Sequence, residues 1–251
     1  MNYTVGIDLG STTTKAVVLD ADGTVLGRGI TNSRSNYDVA CQVALSEALI
    51  NTRFSLIAGE LRSVARDRER APSLLAGLER RFRAEQYRSQ LRVLDAELRR
   101  FLSRLLTRPP AASGILDRIL GQMHDEVDAL YADGVRRKSD FFRDLAGSRY
   151  LALAETESRA TGMGFDLLAG LFDKAILDVE NSAEAAGEFE DHAAAALGGM
   201  PGTDPGLAAA VARVSALRLE QVGSVGTGYG RARLPFPEGR DRKSTRLNSS
   251  H

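Results

Sequence analysis

The chain is short of several things. It has one cysteine in 251 residues, Cys41, so neither an internal disulfide nor a thiolate metal cage can be built from it alone. It has no excess charge: 33 basic residues balance 33 acidic ones, and no net field draws it to nucleic acid or to a membrane surface. No apolar run approaches the ~20 residues a membrane helix needs. Met1-Asn2 leads straight into strand-like sequence with no signal-peptide pattern, and a reducing cytoplasm is the expected compartment. Aromatics are sparse and no nucleic-acid motif is present. The length allows one or two domains with a real core.

The charge that is present is unevenly spread. Residues 62–108 hold 13 basic and 6 acidic residues, and 117–204 hold 8 basic and 18 acidic. The expectation is solvated helix faces that pair with one another inside one bundle. The alternative is a basic face for a partner or an acidic ligand.

The most informative stretch is VGIDLGSTTTKAVVL, residues 5–19. An apolar run ends in Asp8, a Gly10-Ser11-Thr12-Thr13 turn follows, and Lys15 opens a second apolar run. Such a hairpin suits a phosphate tail. Gly10 allows backbone N–H groups close approach to an anion. Ser11, Thr12 and Thr13 add hydroxyl donors, Lys15 adds positive charge, and Asp8 is placed to hold hydrated magnesium. This is not a Walker P-loop, because G-x-x-x-x-G-K-[ST] is absent. A plain surface hairpin with threonines is the competing reading.

Residues 3–8, 14–20 and 24–31 read as a three-strand meander with an Asp-Gly turn at 20–23; Val25 and Ile30 are expected to point inward. Asn36 or Asp38 should cap a helix to about Asn51 with Val39, Val43, Ala44 and Ile50 on its apolar stripe. Beyond it the composition turns to Leu, Ala, Arg and Glu. Ala84, Tyr87, Leu91, Leu94, Leu98, Phe101 and Leu105 alternate spacings of three and four, a heptad seam ended by Pro109-Pro110. Ser113 is expected to cap a helix with the face Leu116, Ile119, Leu120, Met123, Val127, Leu130 and Tyr131, stopped at Asp133-Gly134. One helix is expected over 165–197, with Gly170 and Gly187 as weak points. Asp204-Pro205 should start the last, over 207–219, and a strand should return at 221–225. His124 and His192 lack ligand spacing and are expected at the surface.

IDLGSTTTK followed by a second strand resembles the first phosphate motif of the actin, sugar-kinase and heat-shock-chaperone ATPase superfamily. GRGITNSRSNYDVACQVALSEALINTRF (27–54) and VGTGYGRARLPFPEG (225–239) resemble one branch. It holds the activators of 2-hydroxyacyl-CoA dehydratases and the ATP-hydrolysing subunits of class I benzoyl-CoA reductase. NSRSNYD and LPFPEG are most similar to one of the reductase's ATP-hydrolysing subunits.

The resemblance implies an α/β fold: part of an actin-like, ribonuclease H-like ATPase lobe with a large all-helical insertion. The lobe would take 1–52 and 220–239, the insertion 53–219, and 240–251 would be a foreign or disordered tail. It implies MgATP, with Asp8 catalytic and on magnesium, and Gly10, Ser11, Thr12, Thr13, Lys15, Thr227 and Gly228 on the nucleotide. Arg231 would make an anion or interface contact. It also implies a 4Fe-4S cluster in the intact subunit pair, with its ligands absent from this chain. Expected partners are a homologous ATPase subunit, substrate-binding reductase subunits and ferredoxin. The family's second phosphate motif and cysteine loop do not follow Gly239. KSTRLNSSH (243–251) resembles translated adapter DNA, so the chain is expected to be an N-terminal fragment, poor at ATP hydrolysis by itself. A dehydratase activator and a non-enzymatic helical scaffold are the alternative functions.

Overall fold

The computed structural model describes residues 1–33, 37–63, 69–107, 109–181, 188–202 and 204–228. Asn36, Gly187, Arg231 and the stretches 234–239 and 240–251 lie outside the described residues. The chain divides into two compact units, Met1–Leu56 with Ala216–His251, and Ile57–Ser215.

The first unit is a four-stranded sheet: β1 (Asn2–Leu9), β2 (Thr13–Leu19), β3 (Val25–Asn32) and β4 (Glu220–Gly228). The order is β3-β2-β1-β4. The meander pairs antiparallel, and β4 lies parallel to β1 with Asp8 opposite Thr227. Parallel pairing requires a long crossover, and the helices between β3 and β4 supply it. The Asp20 carboxylate accepts the N–H groups of Asp22 (3.0 Å) and Thr24 (2.8 Å), and Gly23 takes φ +82°. These bonds fix the β2–β3 turn.

One face of the sheet is covered by helix α1 (Tyr37–Ser63). Val5, Ile7, Leu9, Ala16 and Val18 pack there with Cys41, Ala44 and Ala48. Val25 and Ile30 point the other way and are exposed, contrary to expectation. Gly27, Gly29 and Thr31 are the buried residues of β3. A Cβ on Gly29 would lie 2.0 Å from the Ala44 carbonyl oxygen, and one on Gly27 2.2 Å from that of Ala48. The helix backbone rides so close that no side chain fits at Gly27 or Gly29, and Val25 and Ile30 are left exposed. Within α1, Ala40, Cys41, Ala44, Ala48 and Ile50 are buried, whereas Val39 and Val43 are half-buried. Asp38 sits inside the first turn. Asn51 does not end α1: its amide donates to the Arg28 carbonyl (2.7 Å). Ile50, Phe54, Ile57 and Leu61 keep the helical stripe running to Ser63.

The second unit is helical. α2 (Ala71–Ser103) buries Ala84, Tyr87, Leu91, Leu94, Leu98 and Leu102. Phe101 is half-buried under the Arg100 guanidinium, 4.7 Å from its ring centre; Leu102 takes the core position. α2 ends at Ser103, before the proline pair. Ser113 is not a cap; it lies inside α3 (Ala112–Asp125). The helix expected to reach Asp133-Gly134 breaks at Glu126, leaving α4 (Val127–Leu130). An unforeseen α5 (Phe142–Thr161) ends on Gly162 at φ +73°. The expected 165–197 helix appears as α6 (Phe165–Asn181), running through Gly170, and α7 (Phe189–Gly198). α8 (Pro205–Ser215) starts as expected: Asp204 accepts the N–H groups of Gly206 (2.9 Å) and Leu207 (3.1 Å).

The core joins the α2 seam to Leu116, Ile119, Met123, Tyr150, Leu168 and Phe172. The two charge blocks pair across this unit: Arg88 with Asp128 (2.6 Å), Arg99 with Asp117 (2.7 Å), and Arg100 with Asp178. His192 is buried, not at the surface, and meets the Phe82 ring edge-on at 5.6 Å. His124 is half-buried, and burial pushes its pKa down.

Candidate functional site

The expected phosphate residues gather at one end of the sheet. Residues alternate across a strand, so Asp8 and Lys15, opposite each other in register, share the face turned away from α1. Both are exposed. Thr227 joins them from β4, and its hydroxyl donates to the Asp8 carboxylate at 2.9 Å. Thr227, expected on the nucleotide, thus also holds the Asp8 carboxylate. Gly228 pairs with Leu9 at the end of β4.

The turn between β1 and β2 is tight. Gly10 N–H donates to the Thr13 carbonyl (3.1 Å), and a Cβ on Gly10 would sit 2.7 Å from that oxygen. Glycine is needed for this closure; its own N–H is used within the turn. The Ser11 and Thr12 N–H groups make no hydrogen bond among the described residues, and both residues are exposed. Thr13 is half-buried, with its backbone in β2 opposite Asn32.

Two residues escaped the sequence reading. Ser33, just past β3, holds the turn from behind: its N–H donates to the Thr12 carbonyl (2.8 Å) and its hydroxyl to the Gly10 carbonyl (2.6 Å). No sequence pattern signals this. Arg28 lies diagonally from Lys15 on the open face, which strand alternation alone would have given. Neither Lys15 nor Arg28 forms an ion pair among the described residues. With Asp8, Ile30, Val225 and Thr227 they line a groove of about 570 Å³. Two cations against one carboxylate leave this face positive, as an anion site requires.

Residues 5–245 match the model of the BadF/BadG/BcrA/BcrD ATPase family. The chain belongs to that family. No curated protein and no solved structure matches it. The matched stretch reaches into 240–251, the segment expected to be foreign.

As a BadF/BadG/BcrA/BcrD ATPase the chain has an actin-like α/β fold with a large helical insertion, and it binds ATP. The turn fits a phosphate group: Ser11 and Thr12 are exposed with N–H groups unbonded among the described residues, while the carbonyls of Gly10, Thr12 and Thr13 are occupied within the protein. Magnesium fits as well. It keeps most of its water and needs only one or two carboxylates beside nucleotide phosphates, and Asp8 supplies one. The 4Fe-4S cluster does not fit this chain. Cys41 is buried on the sheet-facing side of α1 with its thiol pKa raised, chiefly by that burial, and no group of three or more His, Cys, Asp or Glu able to hold a metal occurs among the described residues. No described helix is long and apolar enough to cross a membrane.

Proposed function

We propose that the β1–β2 turn is the phosphate-binding element of a magnesium-dependent ATPase. Ser11 and Thr12 hold phosphate oxygens through N–H and hydroxyl groups, and Lys15 offsets their charge. Asp8, held by Thr227, binds the water shell of magnesium, which supplies charge neutralisation at the phosphates. Stabilising charge as it develops is the main task in phosphoryl transfer. The carrying observation is the hydrogen bonding of the turn: the exposed Ser11 and Thr12 keep unbonded N–H groups among the described residues, and three carbonyls of the turn are bonded within the protein.

The finer reading rests on the resemblance of residues 27–54 and 225–239. ATP hydrolysis here would power low-potential electron transfer from ferredoxin to partner subunits that reduce the ring of benzoyl-CoA. The resemblance puts the 4Fe-4S cluster in the intact subunit pair, with ligands other than the residues of this chain.

Calorimetric titration with MgATP tests the first reading. Binding that weakens when magnesium is withheld, and in Asp8→Asn, supports it; no heat of binding refutes it. ATP-dependent benzoyl-CoA reduction by the chain with its genomic neighbours and reduced ferredoxin tests the second, and ATP hydrolysis without ring reduction contradicts it.

A further inference from the structure

We propose that Ser33 is a positioning residue for phosphate recognition, and that it acts through the carbonyl groups of the turn. The proposal rests on the MgATP reading of the turn. A four-residue turn that is to hold an anion faces a problem. Its carbonyl oxygens carry partial negative charge, and any that swings outward repels the ligand and exposes fewer N–H groups. Three carbonyls are restrained here, and Ser33 restrains two of them, Gly10 through its hydroxyl and Thr12 through its N–H. The third, Thr13, accepts from Gly10 inside the turn.

The hydroxyl network has a defined direction. Ser33 Oγ lies 2.6 Å from the Gly10 carbonyl, which can only accept, so the single hydroxyl proton of Ser33 points there. Ser33 Oγ also lies 3.0 Å from Thr14 Oγ1. With the Ser33 proton committed, Thr14 must be the donor. Thr14 is fully buried, and its place in β2 is fixed by pairing with Leu9 and Thr31. The chain Thr14 → Ser33 → Gly10 therefore runs from a rigid buried hydroxyl to the carbonyl at the first bend of the turn. Hydrogen bonds in series strengthen one another in such a setting. β3 thus presets the loop formed by β1 and β2 before ligand arrives, which lowers the ordering cost at binding.

The test uses the full chain and MgATP titrated calorimetrically, with thermal unfolding in parallel. Ser33→Ala should raise the MgATP dissociation constant roughly tenfold, about the worth of one such hydrogen bond. Ser33→Thr, which keeps the hydroxyl, should stay within about twofold of the parent. Thr14→Val should weaken binding less than Ser33→Ala, and adding it to Ser33→Ala should cost nothing more, because it acts through the Ser33 hydroxyl. Ser33→Gly gives a second variant with the N–H bond intact and the hydroxyl gone, and should match Ser33→Ala. A lower melting temperature with unchanged MgATP affinity would make Ser33 merely structural and overturn the proposal. Additive losses in the double variant would overturn the chain mechanism. If the parent itself does not bind MgATP, the phosphate reading fails and the role of Ser33 falls with it; a parent that binds beside an unaffected Ser33→Ala sinks only the role of Ser33.

Discussion

The sheet unit and the helical unit are held together by opposite means. In the sheet unit small residues let backbone meet backbone: Gly27 and Gly29 of β3 lie directly against Ala44 and Ala48 of α1. In the helical unit side-chain bulk fills the interior. Leu91, Leu94 and Leu98 of α2 are fully buried among large side chains, and arginines on its flanks reach acids on other helices. The difference bears on function. α1 packs its backbone on one sheet face, and Asp8, Lys15 and Thr227 line a groove on the other among the described residues. In the helical unit the α2 arginines Arg88, Arg99 and Arg100 pair with acids of α4, α3 and α6.

The contrast predicts that removing bulk harms one unit and adding bulk harms the other. Leu98→Ala should have the largest effect, costing about 2–5 kcal/mol by chemical denaturation, as a buried leucine that leaves a cavity does; a loss under about 1 kcal/mol would show a loose seam. Gly29→Ala comes next, at about 3 kcal/mol or the upper end for overpacking, because its new methyl meets a backbone carbonyl and not a mobile side chain. The same change at Gly147 in α5 sharpens the comparison. There a Cβ would touch only the Phe172 ring, at 3.3 Å, and the higher helix propensity of alanine offsets about 1 kcal/mol. Gly147→Ala should therefore move stability by less than about 1 kcal/mol, and equal losses at positions 29 and 147 would break the contrast.

The smallest effect concerns Glu126 and Arg149, joined at 2.6 Å and half-exposed. The Arg149 guanidinium lowers the Glu126 pKa. A depressed carboxylate stabilises the fold above its unfolded-state value of about 4.3, and that share is lost as pH falls through the folded value. A double-mutant cycle should give about 0.2–1 kcal/mol at neutral pH, vanishing in strong acid. A coupling that grew on acidification would have the wrong sign.

The sequence made the strands, the Asp-Gly turn, the β1–β2 hairpin, the α2 seam and the Asp204-Pro205 start legible, because each depends on neighbours within a few residues. It misjudged what depends on distant packing. Val25 and Ile30 have inward-type side chains, yet glycines hold the inner face because α1 approaches so closely. Asn51 resembles a helix end, yet its amide serves β3 and the apolar stripe carries on. His192 carries no ligand pattern, and its burial follows from the aromatic rings around it. At the site, Asp8, Gly10 and the hydroxyls were read from their order. The Thr227–Asp8 bond and the Ser33 clasp were not, since both join residues brought together by strand pairing.

The central claim is that the β1–β2 turn binds the phosphates of magnesium ATP. The most direct measurement is calorimetric titration of the chain and its Asp8→Asn variant with ATP, with and without magnesium. Binding that magnesium strengthens is expected in the parent, with that magnesium dependence lost in Asp8→Asn. ATP binding that is indifferent both to magnesium and to Asp8, or no binding at all, would contradict it.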